Sequence, residues 1–152
     1  MKILVATDGS VDAVEAARVA FELFKEVASI VLVTVVQDYE NPLEMSGGFE
    51  GPLVTPEQAE EECQHQVTEG RQALEHTKAV LGRDAELLLL PTDTSPGHAI
   101  VDIAKELQPD LIVLGNSGKS LFWRLFAGSA SDYVLHHTPC PLLMVPSRSH
   151  PN

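Results

Sequence analysis

Two short stretches of the chain bring together residue types that could hold a phosphate. The longer is GNSGKSLFWRLFAGS, Gly115 to Ser129, with three glycines, a Gly-Lys-Ser triplet and a closing Gly-Ser. A P-loop needs a glycine five positions before the glycine of its Gly-Lys-Ser, so that enough backbone N–H groups curl around the phosphates. That position is Val113, so the stretch is not a P-loop. Its glycines could still serve anion binding: at Gly115 and Gly118 the backbone can approach a ligand without a Cβ in the way, presenting the N–H groups of Asn116, Ser117, Gly118 and Lys119. Gly128 and Ser129, with Ala130 beside them, stand where a helix begins, and a helix N-terminus offers unpaired N–H groups and the positive end of its dipole. The shorter stretch is ATDGS, in which Thr7 and Asp8 close an apolar run and Gly9 and Ser10 open a turn. A carboxylate at Asp8 would repel a phosphate unless a Mg²⁺ ion or a sugar hydroxyl stood between them.

Composition narrows what such a site could serve. At 152 residues and 44% hydrophobic, the chain suits a single well-buried domain. Its formal charge of −12 opposes binding to a nucleic-acid backbone and to an anionic membrane surface. A phosphate ligand would therefore need a local site built mostly from backbone. Cys63 and Cys140 are the only cysteines, and neither their number nor their spacing makes a disulfide framework or a zinc site. The N-terminal apolar run is shorter than the core of a secretory signal and no run could span a bilayer, which leads to the expectation of a cytoplasmic protein.

The elements that would position these residues are legible as five apolar runs: Ile3 to Thr7, Ser29 to Val36, Ala85 to Pro91, Leu111 to Gly115 and Pro141 to Pro146. Their length, branched side chains and lack of alternation fit strands covered on both faces. Helical spacing runs between them. Ala13, Ala17, Ala20, Phe21 and Phe24 follow Ser10 as a cap, Pro56 to Leu81 ends at Gly82, Pro96 to Leu107 carries Ile100, Ile103, Ala104 and Leu107 on one face, and Ser129 to His136 forms a short last helix. Strand and helix alternating to the end predict an open α/β sheet of five parallel strands, helices on both faces. Such sheets bind ligands beyond the carboxyl ends of their strands. The segment Gln37 to Thr55 reads either as a flap over a site or as an irregular connection.

Gly115, Gly118 and Gly128-Ser129 match the G-x2-G-x9-G-[ST] pattern of the ATP-binding branch of the universal stress protein family. The chain resembles that family further in MKILVATDGS, in HAIVDIAKELQPDLIVLG and in SASDYVLHHTPCPLLMVP, which together with the motif cover nearly its whole length. The resemblance implies a Rossmann-like fold of the adenine nucleotide α-hydrolase type with strand order 3-2-1-4-5, a domain over residues 1–147 and a tail over 148–152. It implies ATP as ligand with Mg²⁺ beside it, Asp8 at the ribose and phosphate end and as the metal contact to the Mg²⁺ that the nucleotide carries, and Val35 or Val36 at the adenine, though either valine reads equally well as core. It also implies a homodimer formed through the last strand. The chain departs from the family's pattern at PTDTSPGHAI, where Thr94 stands at the place of a common glycine, so the shape of that loop is open.

Lys119 could reach a terminal phosphate or simply be solvated, and Arg124 is the other cation nearby; Phe122, Trp123 and Phe126 read as anchors for the loop. His98 reads as a helix-start residue, and His136 and His137, pointing in different directions as helix neighbours, read as C-terminal helix residues rather than a metal pair. No residue combination supplies a catalytic nucleophile or general base, so hydrolysis, if any, should be slow. The sequence thus leads to an ATP-binding stress protein whose nucleotide alters what its surface binds, with an unidentified signalling partner. A nucleotide-free dimeric interaction module and an adenine-nucleotide-processing enzyme are the rival readings.

Overall fold

The computed structural model describes residues 1–24, 29–38, 55–115 and 130–146. Along the chain these form β1 (Lys2–Ala6), α1 (Val11–Leu23), β2 (Ser29–Gln37), α2 (Pro56–Leu81), β3 (Glu86–Thr92), α3 (Pro96–Leu107), β4 (Leu111–Gly115), α4 (Ala130–His137) and β5 (Leu142–Val145). All neighbouring strands pair in parallel, in the order β3-β2-β1-β4-β5. Each predicted strand and helix is present, with ends that differ by at most one or two residues from those expected.

The absence of alternation in the strands has its reason in two separate cores. Ile3 and Val5 of β1, Ile30 and Leu32 of β2, and Leu111 and Val113 of β4 face α1 and α2, meeting Ala16, Ala17, Ala20 and Leu74. Leu4 and Ala6, Val31, Val33 and Val35, and Ile112 and Leu114 face the other way, toward Ala99, Ile100 and Ala104 of α3 and Val134 of α4. A strand with helices on both sides must be apolar at every position. The two edge strands are less enclosed, and Leu87 to Leu90 of β3 and Leu142 to Met144 of β5 are half-buried.

Local signals set the helix ends. Ser10 accepts the Ala13 N–H and caps α1. Thr55 and Gln58 form a reciprocal capping box before Pro56, and α2 stops at Gly82 in a left-handed conformation, φ 60°. Ser95 caps α3, which ends at Gln108, φ 50°. At the amino ends of the strands, β1 and β4 are tied together by Lys2 N–H to Asp110 Oδ2 at 2.6 Å and Asp110 N–H to Lys2 C=O at 2.8 Å. Among the described residues, no helix is long and apolar enough to cross a membrane.

Candidate functional site

β1 and β4 are neighbours, paired from Ile3↔Leu111 to Val5↔Val113. Their connections then part: β1 leads into α1 on one face, and β4 leads toward α4 on the other. Neighbouring strands whose connections leave to opposite faces open a crevice at their carboxyl ends. Thr7 and Gly115, each two residues beyond the last pair, stand at its two sides.

The turn leaving β1 is fixed by its own hydrogen bonds. Thr7 continues the sheet with its N–H on Val33 C=O at 2.9 Å, and its C=O accepts the Thr34 hydroxyl at 2.5 Å. Gly9 donates its N–H to Thr7 Oγ1 at 3.1 Å, and Ser10 donates its N–H to Asp8 Oδ1 at 3.0 Å. This local bonding turns the chain within three residues from strand to helix cap. It also splits the duties of the Asp8 carboxylate. Oδ1 is occupied within the turn, while Oδ2 is buried and has no hydrogen-bond partner among the described residues. A buried carboxylate oxygen left without a donor is costly, so it marks a place where a donor or a cation belongs.

Two close approaches lock this turn against its surroundings. Gly9 has φ 76°, and a Cβ there would lie 2.9 Å from Ala73 Cβ and 3.0 Å from Ala73 Cα of α2. At Gly115 a Cβ would come within 3.1 Å of Asp12 C=O and 3.5 Å of Ala13 Cα, in the first turn of α1. The sequence suggested that Gly115 clears a path for a ligand. The structure gives its bare Cα another duty, which is to let β4 end against the α1 backbone.

The described part of the expected constellation is Thr7, Asp8, Val35, Val36 and Gly115, at the carboxyl ends of β1, β2 and β4, with Ala130 at the start of α4. Val35 joins the core under α3, while Val36 turns to α2, where its Cγ1 lies 3.0 Å from the place of a Gly70 Cβ. Asn116, Ser117, Gly118, Lys119, Gly128 and Ser129 lie outside the described residues, as do Phe122, Trp123, Arg124 and Phe126. Ala130 is the first residue of α4.

The loop after β3, whose shape the sequence left open, needs no glycine at Thr94. Thr94 N–H bonds Thr92 Oγ1 at 3.1 Å, and among the described residues Gln108 is the only non-glycine with positive φ. His98 is an exposed helix-start residue whose Nδ1 lies 2.6 Å from Ser95 Oγ and whose ring stacks on Tyr133 at 3.6 Å. His137 stacks on the same tyrosine at 4.0 Å, and His136 pairs with Asp132 at 3.5 Å. Among the described residues no three His, Cys, Asp or Glu side chains are placed to hold a metal ion.

Sequence reasoning missed the part of the site that α2 supplies. Thr77, fully buried, meets Thr7 hydroxyl to hydroxyl at 2.9 Å. Its signal was present, since Gly70, Ala73, Leu74, Thr77 and Leu81 recur at helical spacing and Thr77 is the polar member of that inward stripe.

Comparison with known proteins supports the fold and shows the family. The family model described as the universal stress protein family matches residues 1–146. The chain belongs to the universal stress protein family. Among curated members, universal stress protein YxiE of Bacillus subtilis is 32% identical over 95% of this chain and 97% of its own. A solved universal stress protein family structure from Burkholderia pseudomallei is 26% identical, with a TM-score of 0.66 and 96% of each chain covered. A solved universal stress protein family member from Arabidopsis thaliana, with AMP bound, has a TM-score of 0.64 at 19% identity, covering 98% of this chain and 93% of its own. Two further universal stress proteins, one in complex with cAMP and one from Archaeoglobus fulgidus with dAMP, have TM-scores of 0.59 and 0.57 at 21% and 23% identity, each over 95% of this chain and 96% and 97% of their own. At these lower identities the likeness is one of fold.

Proposed function

We propose that this universal stress protein binds an adenine nucleotide, ATP in its working form, in the crevice between β1 and β4, and that the bound nucleotide changes what the protein's surface recognises. The observation that carries the reading is Asp8 Oδ2 at the carboxyl end of β1, buried and without a hydrogen-bond partner among the described residues. A ribose hydroxyl could donate to that oxygen directly. A Mg²⁺ ion on the phosphates would fit it as an anionic oxygen ligand. On this reading the N–H groups of Asn116 to Lys119, Gly128 and Ser129, with the start of α4 at Ala130, meet the phosphates, and Val35 or Val36 meets the adenine through backbone and apolar contact. The AMP, cAMP and dAMP complexes of proteins with this fold support an adenine nucleotide as the ligand class. Bound nucleotide acts as a regulatory ligand, hydrolysed slowly at most, because a ligand shifts a conformational equilibrium by its differential affinity for the states.

Calorimetric titration with ATP, ADP, AMP and GTP, with and without Mg²⁺, tests this. The wild type should bind ATP in preference to GTP, and Gly118→Val and Gly128→Val should each weaken ATP binding at least about tenfold, or 1.4 kcal/mol, with unchanged circular dichroism. No binding by the wild type, or equal binding by both variants, would favour the nucleotide-free interaction module.

A further inference from the structure

The turn that carries Asp8 is gripped by α2 at two points one helical turn apart. Gly9 lies against Ala73, where even a methyl group would be 2.9 Å from the Ala73 Cβ. Four residues on, Thr77 Oγ1 lies 2.9 Å from Thr7 Oγ1 and donates to Ala73 C=O at 2.8 Å. The direction of the hydroxyl contact follows by elimination. Each hydroxyl has one proton, and that of Thr77 is committed to Ala73 C=O, so the proton between the two threonines is that of Thr7. Thr7 Oγ1 in turn accepts the Gly9 N–H at 3.1 Å. A single relay therefore runs from Gly9 N–H through both hydroxyls to the backbone of α2. Both threonines are buried, at 5% and 0% exposure, so no water stands ready to replace a lost member.

Resting on the nucleotide-binding reading above, we infer that Thr77 is a positioning residue for the nucleotide. Through Thr7 it fixes the Thr7-Asp8-Gly9 turn, and so the aim of Asp8 Oδ2, and it makes α2 part of the binding unit. Asp8 sits between the two gripped residues, with its Oδ1 held by Ser10 N–H at 3.0 Å. Rotation of the turn would move Oδ2 from the position where a sugar hydroxyl or Mg²⁺ would meet it.

Thr77→Val keeps the shape and removes both the acceptor for Thr7 and the donor to Ala73; Thr77→Ser keeps both. Titration of each protein with ATP and Mg²⁺ should show Thr77→Val weakened roughly 3- to 10-fold, the equivalent of one neutral hydrogen bond. Thr77→Ser should bind within about twofold of wild type. Hydrogen exchange provides a second readout: ATP should slow exchange of the Gly9 amide and of α2 amides around Ala73 to Leu81 in wild type and in Thr77→Ser, but not in Thr77→Val. If Thr77→Val does not fold, Thr77→Ala removes the same hydroxyl without crowding and carries the same expectations. A wild type that binds no nucleotide refutes the proposed function and this inference with it. A wild type that binds, beside a hydroxyl-free variant with equal affinity and equal protection, refutes the inference alone.

Discussion

Replacing Gly9 by alanine isolates the contact between the β1 exit turn and α2. Two costs arise. A residue with a Cβ at φ 76° carries about 1–2 kcal/mol of backbone strain. The new methyl would also sit 2.9 Å from Ala73 Cβ and 3.0 Å from Ala73 Cα, and because the latter is helix backbone the contact cannot be relieved by a rotamer change. Overpacking of this kind costs about 1–3 kcal/mol. Loss of glycine's freedom in the unfolded chain returns about 0.4–1 kcal/mol. The balance is a destabilisation of about 1–5 kcal/mol, centred near 3, a large share of the ~5–15 kcal/mol that holds an ordinary domain together. Urea unfolding at 25 °C, followed by circular dichroism, should show a lower midpoint with an unchanged slope. Gly9→Asn, which tolerates positive φ but has the same Cβ, should lose about 1 kcal/mol less than Gly9→Ala. A Gly9→Ala protein within about 0.5 kcal/mol of wild type would show that the turn is not pressed against α2, and the account of the clamp would fail.

Two other expectations follow from the far end of the sheet. Burial pushes the Cys140 thiol up from the ordinary range, opposed by hydrogen bonds with Thr138 and the Ile112 backbone and aided slightly by Asp110. In Cys63→Ser protein the remaining thiol should react with a disulfide reagent at neutral pH more slowly than a small free thiol, and an equal or faster rate would contradict the assignment. Because the unfolded thiol ionises first, the stabilisation is complete below the unfolded value, about 8.5, and declines as pH rises through the higher folded one, so Cys140→Ser should flatten the alkaline fall in stability. β5 ends the sheet with half-buried Leu142, Leu143 and Met144 between Pro141 and Pro146, an apolar edge open to strand pairing. The homodimer through this edge, which the family resemblance implies, is expected to appear in light scattering at micromolar concentration, and a monomer there refutes it.

The order and kind of the elements were legible because local signals repeat at every boundary. Thr55, Pro56 and Gln58 open α2, Gly82 closes it, and the strands announce two-sided burial by lacking a polar alternation. The crevice was legible only through a topology in which β1 and β4 become neighbours, and spacing along the chain does not contain that fact. The reasons behind individual glycines were less accessible still. Gly115 belongs to a glycine pattern that suggests ligand approach, yet its nearest obstacles are Asp12 and Ala13 of α1, more than 100 positions earlier. Thr77 was passed over for a similar reason. A threonine in a helix is ordinary, and what makes this one part of the site is a hydroxyl contact 70 positions away in sequence.

The shortness of the β1 turn decides which part of a nucleotide it can meet. Of the N–H groups from Thr7 to Val14, those of Thr7, Gly9, Ser10, Ala13 and Val14 are donated to acceptors within the chain. Little remains to cradle an anion, and Asp8 and Asp12 place carboxylates on either side of the α1 cap. A P-loop protein binds phosphate after its first strand by leaving such amides free in a longer turn. Here the turn uses most of its own donors and leaves one buried side-chain acceptor, Asp8 Oδ2, without a partner among the described residues. The β1 side of the crevice is thus chemically fitted to a hydroxyl or a cation and unsuited to bare phosphate. On the proposed function, a nucleotide in this crevice would turn its sugar or its metal toward Asp8, which leaves its phosphate oxygens for the connection between β4 and α4, and the Gly118→Val and Gly128→Val titrations test that assignment.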